Sequence, residues 1–145
     1  MNHDLLSGDD MRLLTEIGML GAGAGLPLLA STETLFRKLM VLRPSRDFAY
    51  IGLACTYLNL GRPDDAVRVL ERGLQIMDST ADDTPTSDRA MVQAFLGMAL
   101  LMARRTAEAM ALLNTLAQNC QHGPAWRMAR GLLGLPAQDT LKETP

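Results

Sequence analysis

Apolar residues recur along this chain at helical spacing, and one such pattern occurs twice. In DDAVRVLERGLQ, residues 64–75, Ala66, Val69 and Leu70 are three and four apart, one face of a helix. In AEAMALLNTLAQ, residues 107–118, Ala109, Leu112 and Leu113 repeat them at an offset of 43, with Glu108 on Asp65 and Gln118 on Gln75. Carried upstream, the offset lays Leu53 and Ala54 on Leu96 and Gly97, and Leu58 on Leu101. The repeated unit is therefore a pair of helices. An offset of 34 places a third, weaker copy earlier, with Phe36 on Leu70 and Met40 on Leu74, and Pro44 ending its second helix. The nine-residue difference between the offsets falls in the polar, acidic stretch 78–89, DSTADDTPTSDR, read as an enlarged loop.

These patterns predict helices over about 9–24, 28–42, 47–60, 63–77, 88–103, 106–120 and 124–134. Gly61 suits a helix end, where positive φ is cheap for glycine. Pro63 followed by Asp64 and Asp65 suits a helix start, because proline's fixed φ fits the first turn and acids favour the positive dipole end. The last helix, PAWRMARGLLG, also opens on a proline, and Trp126 is its expected anchor.

Tyr50, Leu53, Ala54, Tyr57, Gly61, Ala66, Leu70, Gly73 and Leu74 together resemble the tetratricopeptide repeat, a helix–turn–helix unit of about 34 residues. Small Ala54 and Ala66 would let the two helices approach, and Tyr50, Leu53, Tyr57 and Leu70 would fill the space between them. The resemblance is strong over 47–77 and fair over 90–121, where Gln93, Leu100 and Arg104 replace both aromatics and the turn glycine. It is weak over 13–46, whose first helix has Met19, Leu20 and Gly23 in place of Leu53, Ala54 and Tyr57. It implies an all-α, right-handed stack of about three antiparallel helix pairs (13–46, 47–80 and 90–123) closed by a capping helix, 124–134. Residues 1–136 then form one domain and 137–145 a frayed tail.

Composition narrows the function. The net charge of −2 points to neither nucleic acid nor anionic membrane. MNHDLLSGDD has early acids and no basic region ahead of an apolar run, unlike a signal peptide. No uncharged apolar run reaches the roughly 18 residues of a membrane span, and a soluble, cytoplasmic protein is expected. Cys55 and Cys120, far apart in apolar helical contexts, read as reduced packing residues, with a disulfide the alternative.

Candidate chemistry is sparse. GMLGAGAGLPLL, residues 18–29, lacks the spacing and preceding strand of a dinucleotide fingerprint and the Gly-Lys-Ser/Thr of a P-loop. It reads as a close helix contact with a turn. His3 and His122 have no partners at metal-ligand spacing, and no serine or cysteine sits in a nucleophile context. Asp82 and Asp83 read as a solvated loop. Arg104, Arg105, Arg127 and Arg130 read as a solvated face, or else as a contact for an acidic partner. No enzyme, cofactor or metal is expected.

The family resemblance makes the first helix of each pair line a concave groove. That assigns Phe48, Ile51, Cys55, Leu58 and Asn59 from the second pair, and Met91, Ala94, Met98, Leu101 and Met102 from the third. The first pair would add Leu14, Ile17, Gly21, Ala24 and Gly25. Only Asn59 is polar among the first ten, unlike family members that clamp a peptide carboxylate. So apolar a groove needs a cover: the Trp126 helix or N-terminal segment, a second copy in a homodimer, or a partner's amphipathic helix. Methionine suits a surface that adapts to its ligand. By size, degenerate repeats and groove character the chain resembles the small tetratricopeptide chaperones of bacterial type III secretion. That resemblance implies a needle or translocator subunit as client, kept soluble before export, and a small co-chaperone over the first helix pair. The alternative is a general scaffold in another assembly.

Overall fold

The computed structural model describes residues 7–24, 26–119 and 122–136. Among them are seven helices and no strand. They are α1 (Gly8–Ala24), α2 (Leu29–Leu42), α3 (Phe48–Asn59), α4 (Pro63–Ser79), α5 (Thr86–Met102), α6 (Thr106–Asn119) and α7 (Pro124–Leu132). A single turn of 3-10 helix, Leu26–Leu28, links α1 to α2.

Consecutive helices touch, and α1, α3, α5 and α7 also touch in succession. The even-numbered helices meet only their chain neighbours. The described helices therefore form an inner, odd-numbered layer and an outer, even-numbered one. Burial follows this order. On α3, Ala49, Tyr50, Gly52, Leu53, Ala54, Thr56, Tyr57 and Leu58 are buried, because neighbours cover several of its flanks. On α4 burial keeps to one face, Ala66, Val67, Leu70, Gly73 and Met77.

Three helix ends share one geometry. Gly61, Arg104 and Gly134 follow α3, α5 and α7, all with left-handed φ (+69°, +60° and +69°). In each case the next N–H reaches back five residues: Arg62 to the Tyr57 carbonyl, Arg105 to that of Leu100 and Leu135 to that of Arg130, at 2.8–2.9 Å. This is the Schellman arrangement. Arg104 adopts the turn although it lacks glycine's freedom. Arg62 pairs with Asp65 and Arg105 with Glu108, each at 2.6 Å, so the first turns of α4 and α6 also match.

Two expectations need correction. Stretch 78–89 is not all loop, since α4 continues to Ser79 and α5 begins at Thr86. The extra residues mostly lengthen both helices to 17 residues, and Arg89 pairs with Asp78 across the junction at 2.8 Å. The turn is held by hydroxyls: Thr80 donates to the Ile76 carbonyl at 3.0 Å and Thr84 to that of Thr80 at 3.0 Å.

The second correction concerns α1. Leu20, aligned with fully buried Ala54, is 76% exposed. Gly18 instead lies under Phe36, as Gly97 lies under Leu113. From Gly97 to Leu113, as from Ala54 to Leu70, is 16 residues, and from Gly18 to Phe36 is 18. The connection in the first pair is two residues longer, and α1 is shifted by that amount against the repeat. Phe36, completely buried, is held between Gly18 on α1 and Gly52 on α3.

Candidate functional site

The glycine-rich stretch is a packing device. α1 continues to Ala24. Gly18 faces the Phe36 ring and Gly21 faces the Thr32 hydroxyl, so both sit where α2 crosses closely. Gly23 meets nothing within 4 Å, and Gly25 lies outside the described residues.

The ten residues assigned to the concave groove divide. Phe48, Ile51, Cys55, Met91, Met98 and Leu101 are half-buried, while Asn59 and Met102 are exposed. Leu58 and Ala94 do not line a groove. Leu58 shares the main core with Leu96, Ala99 and Leu100 of α5. Ala94 is fully buried with Leu113, Ala125 and Ala129, on the flank of α5 that α6 and α7 cover. Helical spacing puts both on an apolar side; α5 encloses Leu58, and α6 and α7 enclose Ala94. From the first pair, Leu14 is half-buried against the core and Gly21 faces Thr32, leaving Ile17 as the exposed member. Ala24 and Gly25 are outside the described side chains.

The exposed apolar surface lies elsewhere. Among the described residues eleven large apolar side chains are exposed, and eight of them fall between Leu13 and Leu42. Leu13, Ile17 and Leu20, at 56%, 49% and 76%, are four and three apart and form one stripe on α1. With the two-residue shift, they correspond to Ala49, Leu53 and Thr56 of α3, each at most 1% exposed. Gly52, in the same stripe of α3, packs on Phe36, so that stripe faces the preceding pair. On α5 the matching residues are Val92, Leu96 and Ala99, again buried. The face covered on α3 and α5 is thus open on α1. Sequence alignment missed it because the longer first turn displaces the register.

A second feature links helix starts. Asp47, Asp88, Met91, His122 and Pro124 border a cleft of about 530 Å³ between the beginnings of α3, α5 and α7. Buried Asp88 accepts from the Asp47 backbone N–H at 3.1 Å and pairs with Arg46 at 2.8 Å. It ties α3 to α5 and supplies negative charge beside two positive helix ends. The Asp47 carboxyl is pushed up to about 6 by burial and then by the neighbouring Asp88, against a smaller opposing pull from Arg46.

Other candidates have ordinary surroundings. Cys55 is a free thiol pushed up by burial, whereas Cys120 and His3 lie outside the described residues. His122 is exposed at the cleft edge, and Asp82 and Asp83 are exposed beyond α4. The four arginines do not act alike. Arg105 bonds Glu108, while Arg130 lies over the Trp126 ring at 4.9 Å and donates to the Pro136 carbonyl at 2.8 Å. Trp126 anchors α7 by donating its indole N–H to the Ala117 carbonyl at 3.1 Å. Among the described residues no group of three metal-ligating side chains converges, and no helix is long and apolar enough to cross a membrane.

Comparison with known proteins gives no match to a family model, to a curated protein or to a solved structure.

Proposed function

We propose that this chain is a non-catalytic protein-binding module of the tetratricopeptide type, and that it shelters an apolar helix of another polypeptide. The recurring left-handed helix ends and the two-layer order support a stack of about three antiparallel pairs closed by α7. One observation carries the binding reading: the stripe of Leu13, Ile17 and Leu20 is open on α1, while its counterparts on α3 and α5 are covered by a preceding helix pair. The natural occupant is therefore an amphipathic helix or helix pair docking on α1 as α1 and α2 pack on α3. Covering these side chains is worth roughly 1–2 kcal/mol each, given how much of each remains in water.

This moves the principal site from the inner face of α3 and α5 to α1. On α3 and α5, Phe48, Ile51, Met91 and Met98 are only half-buried. The more specific reading is a cytoplasmic chaperone for a type III secretion subunit. It rests on resemblance in size, repeat degeneracy and apolar character, and it gives a steric mechanism: a covered helix cannot polymerise or aggregate.

The test is affinity capture of the tagged full chain from its native cells, comparing wild type, Ile17→Glu and Met98→Glu by mass spectrometry. A partner lost only with Ile17→Glu supports the α1 site, and one lost only with Met98→Glu returns it to the inner face. If all partners survive both changes, neither face binds and the reading fails. A partner that is insoluble without this chain marks a chaperone; one that is soluble alone marks a scaffold.

A further inference from the structure

In the outer layer α2 and α4 do not touch, and a groove of about 270 Å³ lies between them. Met40, Leu53, Val69 and Ile76 give it an apolar lining. Exposed Arg37 of α2 and Arg68 and Arg72 of α4 border it. Arg37 and Arg72 face each other across it from the two helices, beside Tyr57 and Tyr50 of its floor. Arg62, above the Tyr57 ring at 4.8 Å, adds a fourth guanidinium.

Two carboxylates lie among these four cations. Glu33 accepts the Tyr57 hydroxyl, and Asp65 is shared between Arg62 and Arg68. Asp64 and Glu71 instead act on Arg105, and Asp78 pairs with Arg89. In a chain of net charge −2, positive charge is thus concentrated on one apolar-lined groove.

We propose that this groove docks an acidic segment of a partner protein, with carboxylates flanking one or two apolar side chains that enter it. Guanidinium forks suit carboxylates geometrically, and the volume is too small for an entire helix. A nucleic acid fits less well. Tyr50 and Tyr57 are buried and offer no stacking face for bases. This site is separate from the α1 stripe and does not depend on it.

The test uses the full chain and a fluorescein-labelled peptide, Glu-Glu-Leu-Glu-Glu-Leu-Glu-Glu, followed by anisotropy at about 20 mM and about 150 mM NaCl. Its all-Lys-for-Glu counterpart and an oligothymidylate serve as comparison probes. Binding of the Glu peptide should weaken at least about tenfold in Arg37→Glu/Arg72→Glu, less in Arg37→Gln/Arg72→Gln, and remain unchanged in Arg127→Glu on α7. Circular dichroism checks that each variant is folded. Amide shifts on peptide addition should centre on Met40, Val69 and Ile76. Absence of peptide binding, equal binding of the Lys peptide, an unchanged double variant, or preferential displacement by the oligonucleotide would each overturn the proposal.

Discussion

Gly52→Ala tests whether Phe36 is held as tightly as its surroundings imply. A Cβ at residue 52 would stand 2.9 Å from Phe36 Cδ1 and closer still to the next ring atoms. The ring cannot retreat across to α1, because the Cβ position at Gly18 is already 2.8 Å from Phe36 Cζ. Phe36 is completely buried, so no solvent-facing rotamer is free to it without leaving a cavity. Overpacking of this kind costs about 1–3 kcal/mol, while alanine returns up to about 1 kcal/mol of helix propensity over glycine. The net expectation is a loss of roughly 1–2 kcal/mol, or about 3–6 °C in Tm for a chain of this size. Gly23→Ala is the matched control, since it too is a helical glycine but meets nothing within 4 Å. It should gain about 0.5 kcal/mol near its helix end. Urea and thermal unfolding followed by circular dichroism measure both. Phe36→Leu should recover part of the Gly52→Ala loss, a coupling that a double-mutant cycle reads directly. A Gly52→Ala variant as stable as wild type would refute the reasoning, as would two glycine variants that shift Tm in the same direction.

Further expectations follow from other contacts. Arg104→Gly should stabilise by about 0.5–1 kcal/mol in urea titration, because a left-handed residue stands where α3 and α7 use glycine. Asp47 binds a proton more tightly folded than unfolded, so its contribution is present below pH 4 and is lost as pH rises through about 6. Asp47→Asn should remove that slope and stabilise the protein at pH 7.5 by about 1 kcal/mol, after discounting for solvent screening of a half-buried carboxyl; urea midpoints across pH 4–8 measure it. Leu58→Glu should unfold the chain by burying an unpaired charge, whereas Ile17→Glu should retain full helicity by circular dichroism.

Much of the architecture was legible because helices are encoded locally. Pro63 and Pro124 mark the first residues of α4 and α7, and Gly61 the left-handed end of α3. The spacing of Ala66, Val69 and Leu70, repeated at 109, 112 and 113, identifies equivalent outer helices. What local spacing cannot specify is which apolar flank a distant helix covers. Leu58 and Ala94 look like surface-lining residues until α5, α6 and α7 enclose them. Leu20 aligns with buried Ala54 and Ile17 with the groove, until the two-residue shift of α1 puts both, with Leu13, on one exposed stripe. Asp47 and Asp88 meet across 41 residues of chain, and the cations of the outer groove converge from two helices that do not touch. Periodicity along the chain determined the helices and their apolar sides. Only tertiary packing decided which of those sides remain open, because burial is set by neighbours remote in sequence.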